Sequence, residues 1–467
     1  MVIARAKISC MPETLAADLP VARVLPLLGL PHLDREFDYL VKDSESAAAQ
    51  PGVRVRIRFA GRLVDALILE RVASSSHEGK LRFIERVVSP EVVYPPQMKG
   101  LVDQLADRYA GVRSDIIRTA IPARHTKAEE TDTTTPWEHL GEVTQPDLSP
   151  WSAYTYGESF VDAVVGGTLA RAAWQIAPGD DWAVALAAVA AKIAADGAGV
   201  LIVVPDQKHV DQLDVALRAH VGPRQITTLT ASLGPQARYS RFLSILHGQG
   251  RLVVGTRSAA FAPVQNLKLA VVMFDGDDSL VDPRAPYSHV REVLSTRSAI
   301  EQASLLIGGH ARTAETQVLV ESGWIHDLVA PRTELRTRSP YIHAAGDSDF
   351  ELERDPRAAG ARIPSVAFQA ARKALERGKP VLFQVPRAGY VQSLACGACR
   401  APARCRACNG PLGLPSGGEA VGRPAGGADG WTVFMCAPTA VRTVFVQSCW
   451  ARSALQKNWV ARLHPRR

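Results

Sequence analysis

Arg251–Asp278, RLVVGTRSAAFAPVQNLKLAVVMFDGDD, contains two apolar runs, Leu252–Gly255 and Leu269–Phe274, separated by a patterned loop and bounded by Gly, Pro and Asp. Runs this short, lying between helical patterns, fit strands buried on both faces of a parallel sheet. In open α/β sheets the ligand crevice lies outside the carboxyl ends of the strands. Gly255-Thr256-Arg257-Ser258 and Asp275-Gly276-Asp277-Asp278 fall there, so both stand at site positions.

Working outward, the pattern extends from Gly157. It predicts a helix over Phe160–Ala170, a strand over Ala172–Ile176, a helix over Trp182–Ala195, a strand over Gly199–Val204 and a helix over Val210–His220. Strands alternating with helices make a parallel, doubly wound sheet. A phosphate-binding loop after the first strand requires glycines, backbone N–H donors and a Lys-Ser/Thr pair. The sequence offers Ala177-Pro178-Gly179-Asp180-Asp181-Trp182-Ala183, without lysine or hydroxyl and with two carboxylates. Carboxylates repel a triphosphate, and no GxxxxGK[ST] occurs anywhere in the chain. Gly179, Asp180 and Asp181 therefore read as a degenerate phosphate-binding loop, to which ATP and Mg²⁺ are not expected to bind.

Residues 1–19 carry no pattern and read as a loosely ordered extension. Residues 20–126 read as a β-rich domain, with strands at Val21–Leu25, Phe37–Leu40, Gly52–Phe59, Ala66–Val72 and Arg82–Val88 and a helix at Met98–Tyr109. Over Gly52–Phe59 the period is two. Val53, Val55, Ile57 and Phe59 share one face, and Arg54, Arg56 and Arg58 the other, with Arg62 just past the turn at Ala60-Gly61. Such a face either grips phosphates through planar guanidinium groups or is a solvated face of a half-exposed strand. Residues 127–156 are polar and rich in Thr and Pro, reading as an interdomain linker.

At 467 residues the chain can fold two or three domains without disulfides. Its 46% hydrophobic and 22% charged content is that of a soluble protein. The net charge of +7 allows an anionic partner but does not require one. The N-terminus lacks a secretory pattern, and the longest apolar region, Trp182–Val204, is interrupted by Lys192, Asp196 and Gly197. A cytoplasmic protein without membrane attachment is the expectation. Cys396, Cys399, Cys405 and Cys408 form two CxxC knuckles, a spacing that aims thiolates at Zn²⁺. These four either hold one ion among themselves or belong to half-built sites. Beyond Leu414 the chain is low in complexity and then divergent, as a natural tail or a shifted reading frame would leave it.

The motif Gly255-Thr256-Arg257-Ser258-Ala259 with Phe261, Pro263 and Leu267, and the block Pro283-Arg284 to His289-x-Arg291-Glu292-Val293, resemble the PriA family of superfamily 2 primosomal helicases. Asp34–Leu40, Gly52–Gly61 and Ala120-x-Pro122 resemble that family's 3′ DNA-binding domain. Pro386–Tyr390 and Cys408–Leu412 resemble its zinc-bearing second lobe. The family's acidic motif is Asp-Glu-Glu-His, against Asp275-Gly276-Asp277-Asp278 here, so the resemblance implies that Asp275, Asp277 and Asp278 belong with Gly179, Asp180 and Asp181 to one degenerate nucleotide site. Val203–Asp206 resembles its strand-end DNA-contact motif, and Leu305–Glu315 stands where it has Gly-Ser-Ala-Thr-Pro.

The resemblance implies an α/β multidomain protein: a 3′ DNA-binding domain at 20–126, a linker or vestigial winged helix at 127–156 and a RecA-like helicase lobe at 157–335. The start of an incomplete second lobe with a zinc-knuckle insertion follows at 336–414, and a divergent tail at 415–467. It implies that Asp38 belongs to a pocket for the 3′-terminal nucleotide and Arg82 lies near the sugar-phosphate, with Arg54, Arg56, Arg58 and Arg62 as further DNA contacts. The implied partners are fork DNA with a 3′ end, primosome proteins, the helicase-loading machinery and single-stranded DNA-binding protein. The implied role is replication restart without helicase activity. Two rivals are an ATP-dependent 3′-to-5′ helicase and a decayed product without function.

Overall fold

The computed structural model describes residues 14–342 and 365–384, and the backbone of the segments 394–396, 412–413, 423–424 and 445–447. Two compact units divide at Ser339.

The first unit opens with a five-stranded antiparallel sheet built from β1 (Val21–Pro26), β2 (Phe37–Leu40), β3 (Arg54–Phe59), β4 (Arg62–Val72) and β5 (Arg86–Val87), in the order β2-β1-β4-β3-β5. The β3–β4 hairpin turns through Ala60 and Gly61, both with positive φ (45° and 79°), as a tight two-residue turn requires. Val55 and Ile57 are fully buried, while Arg56 and Arg58 face outward, so the period-two reading holds. Residues 14–16 are not loose. Thr14 and Ala16 pair with the backbone of Asp43 and Val41, and Ala16 is buried against the sheet. Helices α1 (Pro96–Tyr109) and α2 (Arg113–Ala120) complete this part.

The expected parallel sheet follows. It has seven strands, β6 (Arg171–Gln175), β7 (Gly199–Val203), β8 (Ile226–Leu229), β9 (Leu252–Gly255), β10 (Leu267–Met273), β11 (Ser304–Gly309) and β12 (His326–Val329), in the order β12-β6-β11-β10-β7-β9-β8. The connecting helices are α3 (Gly157–Gly166), α4 (Trp182–Ala195), α5 (Gln207–Leu217), α6 (Pro235–Leu246), α7 (Val290–Glu301) and α8 (Ala314–Glu321), with α9 (Arg332–Arg338) after the last strand. Every residue of β7 and β9 is buried, because crossover helices cover both faces. One apolar core runs from Leu25 and Leu67 of the antiparallel sheet through Met98, Leu101 and Ile116 to Phe242 and Val272 of the parallel one. The two sheets are thereby joined in one hydrophobic body.

Residues 126–153 contain three short 3₁₀ helices, bound along the parallel-sheet domain as a strap. Two tryptophans anchor it. Trp137 and Trp151 are each 1% exposed, and their indole N–H groups donate to the carbonyls of Gln225 (2.9 Å) and Ala185 (3.0 Å). A bridge between Val143 and Val221 lies between the two anchors. The polar composition of this stretch concealed the anchors, since burial here rests on single large side chains rather than on a periodic face.

In the second unit, Ser365–Glu376 is a helix, α10. Residues 381–384 carry no ladder among the described residues. Cys399, Cys405, Cys408 and the side chain of Cys396 lie outside the described residues, as do Pro386–Tyr390 and the tail apart from the backbone of 423–424 and 445–447. No described helix is long and apolar enough to cross a membrane.

Candidate nucleic-acid interface and the strand-end site

The carboxyl ends of β7, β8 and β9 open into a cleft of about 700 Å³ between the parallel sheet and α2. Its walls carry Arg118 from α2, Arg238 from the first turn of α6, and Arg257 and Arg284 from the segments after β9 and β10. The hydroxyls of Thr230, Ser232, Thr256, Ser258 and Ser279 lie among them. Arg238 donates to Ser258 Oγ (2.8 Å) and Arg257 to the Ser279 carbonyl (2.8 Å). The buried Nε of Arg257 has no partner, and the Arg284 guanidinium is unpaired among the described residues. Asp282 also lines the cleft; its carboxylate accepts from Thr119 Oγ1 (2.8 Å) and the Arg284 N–H (3.0 Å) and forms no ion pair with these arginines among the described residues. Guanidinium groups and hydroxyls in one concave wall suit the oxygens of a phosphodiester backbone.

The neighbouring strand ends are differently furnished. Asp181 caps α4, its carboxylate accepting from the N–H groups of Ala183 (3.0 Å) and Val184 (3.3 Å). These are the donors that would meet a phosphate at a helix N-terminus, and a fixed anion already holds them. Asp180 accepts from Tyr154 and from Arg338. Burial raises the Tyr154 hydroxyl to about 12, so it stays a donor.

Asp275 is likewise committed to the fold. It is 4% exposed, and its Oδ2 accepts from Arg291 (2.9 Å), Thr313 Oγ1 (2.6 Å) and Thr316 Oγ1 (2.7 Å). His289 closes the group. Its Nε2 hydrogen-bonds the Asp275 carbonyl (3.0 Å), and its Nδ1 accepts the Arg291 N–H (2.9 Å) at the start of α7. Burial, aided by Arg291, lowers the His289 pKa and keeps the ring neutral. Asp277 turns to cap the next 3₁₀ turn by accepting from the Ser279 N–H (2.9 Å), and Asp278 opens that turn. Gly179 turns the preceding loop with φ 85°. Thus the six residues read as a degenerate nucleotide site do share the strand ends, but as caps and ion pairs. No cluster of three or more metal-ligating side chains occurs among the described residues.

The arginines of β3 part company. Arg56 pairs with Asp65 (2.9 Å) and Arg58 with Glu85 (3.0 Å), both at the surface. Arg54 turns inward, reaching the Pro122 carbonyl (3.4 Å), and burial lowers its pKa. The side chains of Arg62 and Arg82 form no hydrogen bond or ion pair among the described residues, and Arg82 lies within electrostatic reach of the Tyr39 hydroxyl. Asp38 lies beside Arg23 (3.7 Å) on the adjoining strand and accepts from Ser75. Next to it Phe37 meets Phe59 edge-on at 4.9 Å, with Arg35 over the Phe37 ring at 4.9 Å. The strand period reveals which arginines share a face; it is silent on the cross-strand acids that neutralise two of them. The cleft arginines 118, 238 and 284 come from separate segments, and no spacing signal links them.

Residues 24–122 match the family model of the PriA 3′ DNA-binding domain (3′BD). Over 380 residues the chain is 53% identical to the probable replication restart protein PriA of Mycobacterium tuberculosis (strain ATCC 25618 / H37Rv), which covers 81% of this chain and 58% of that protein. It is 49% identical over 381 residues to the corresponding protein of Mycobacterium leprae, and 22% identical over 214 residues to the replication restart protein PriA of Bacillus subtilis. The chain thus spans 58% of the length of its mycobacterial relatives. With a 3′ DNA-binding domain at 24–122 and half of its residues shared with such relatives, the chain belongs to the PriA family.

Proposed function

We propose that this protein binds branched DNA at stalled replication forks and supports replication restart by DNA capture rather than by ATP-driven translocation. The observation that carries the reading is the arginine- and hydroxyl-lined cleft joining the N-terminal domain to the strand ends, beside a helix N-terminus already held by Asp181. The seven-stranded parallel domain is read as a RecA-like lobe that retains its DNA-facing loops. Its residues do not fit a Mg²⁺-nucleotide. The donors at α4 are taken, Asp275 is paired with Arg291, and Asp180 offers a second carboxylate where phosphate oxygens need N–H groups.

Asp38 and Arg82, with the Phe37–Phe59 pair, are proposed to form the recess for a 3′-terminal nucleotide, with Arg62, the cross-strand partner of Phe59, as a further cation. Arg56 and Arg58 would have to exchange Asp65 and Glu85 for phosphate to contribute. Cys396, Cys399, Cys405 and Cys408 are proposed to hold structural Zn²⁺ by their knuckle spacing alone, which metal analysis of the purified protein tests against a metal-free preparation. Primosome proteins, the helicase-loading machinery, single-stranded DNA-binding protein and a cytoplasmic setting follow from the family reading.

The functional test compares full-length protein on forks with a free and a phosphate-blocked 3′ end at one salt concentration, since electrostatic affinity alone is indifferent to the block. Weaker binding to the blocked fork supports 3′-end capture. Equal binding to both removes it.

A further inference from the structure

Beside the arginine cleft, four rings meet at the carboxyl ends of the strands. Phe274, following β10, lies 4.9 Å from His209 and 5.6 Å from His310, ring centroid to centroid, with interplanar angles of 46° and 33°. Trp182, at the start of α4, presses edge-on against Phe274 at 5.4 Å and 88°. Trp182 is buried, Phe274 and His209 are half-buried, and His310 is exposed at the open end of the row. Phe274 takes φ 57°, a left-handed conformation that a bulky side chain adopts at a cost. Such outliers persist where the surroundings over-determine them, and they gather at functional sites.

The row is continuous with the cleft. Asp206 lines the cleft, and its carboxylate is hydrogen-bonded to His209 Nδ1 (2.8 Å). The surface changes character along this path. The cleft offers Arg118, Arg238, Arg257 and Arg284, whereas past Asp206 the wall is made of rings. A phosphate chain is favoured on the first side, while a planar base finds ring faces on the second.

We propose that Phe274, with Trp182, His209 and His310 packed around it, is a stacking platform for one unpaired base of a DNA strand whose backbone lies in the arginine cleft, the base adding to the group at His310. The assignment rests on the DNA-binding reading above and adds the place where the strand is gripped by a base face rather than by phosphate. It also gives Trp182 a role: its indole edge holds the Phe274 ring in place.

A scan with single-stranded oligonucleotides, each carrying one abasic position, tests this on the full chain. An abasic residue at one register is expected to weaken binding roughly 5- to 150-fold, the range for loss of one base–aromatic stack. His310→Ala, at an exposed position, is expected to lower affinity for the intact strand by a similar factor and to flatten the scan. Phe274→Asn, which tolerates the left-handed backbone while removing the ring, is expected to do the same, with far-UV circular dichroism unchanged. A flat scan with the native protein, or full affinity in His310→Ala, overturns the platform while leaving DNA binding intact. Failure of the native protein to bind any of the strands overturns both readings.

Discussion

Neutralising Asp275 separates a structural acid from a metal-binding one. Arg291 and Asp275 have side chains 7% and 4% exposed and meet at 2.9 Å. At an effective dielectric of about 20, their attraction is about 6 kcal/mol before desolvation is subtracted. Removing one partner of such a buried pair costs about 3–5 kcal/mol, because the other is left buried with its charge. Thr313 and Thr316 soften the loss in Arg291→Met by continuing to donate to Asp275, and Glu292 (3.4 Å) softens it in Asp275→Asn by attracting Arg291. At about 2–3 °C per kcal/mol for a body of this size, each single variant is expected to lower the thermal midpoint by about 6–15 °C. The double variant Asp275→Asn/Arg291→Met should recover much of that fall. Thermal unfolding followed by circular dichroism reads all three. An acid held open for a metal would behave oppositely. Asp277 and Asp278 repel its charge, so removing that charge would leave stability unchanged or raise it. A midpoint for Asp275→Asn within about 2 °C of the native value would refute the reasoning.

Asp181→Ala removes the α4 cap and is expected to cost about 1 kcal/mol without conferring affinity for ATP, measured by unfolding and by nucleotide titration. The depressed pKa of His289 means that its stabilising contribution is present above the unfolded value of 6.5 and is lost as pH falls through the folded value. His289→Asn, which keeps a capping acceptor, should therefore show a shallower loss of unfolding midpoint between about pH 7 and pH 5 than the native protein; parallel slopes would contradict this. Trp151→Ala empties a fully buried anchor of the strap and should lower stability by about 3–5 kcal/mol in denaturant unfolding, whereas a free linker would tolerate the change within about 0.5 kcal/mol.

Much of the parallel domain was legible because its signals are local. The runs Leu252–Gly255 and Leu269–Phe274 became β9 and most of β10, with Asp275 at the crevice end as the topology rule requires. The missing lysine and hydroxyl in Ala177–Ala183 were equally plain. What could not be read was pairing across distance. Asp275 and Arg291 lie 16 residues apart, Asp180 and Arg338 158 apart, and no periodicity connects them. The inward turn of Arg54 follows from the domain packed over it, not from the strand that carries it. For the same reason Trp137 and Trp151 looked incidental in a polar stretch until the carbonyls of Gln225 and Ala185 were seen to receive them. The ring row was hidden because Trp182, His209, Phe274 and His310 follow four different strands.

The most direct test of the central claim, DNA capture without a nucleotide-driven motor, is ATP hydrolysis by the full-length protein at a fork-DNA concentration where binding is independently measured. The expected result is saturable fork binding with hydrolysis no greater than that of the protein-free control. Hydrolysis that rises with bound DNA would contradict the account, since neither the Asp181-capped helix nor the paired Asp275 could then be as described.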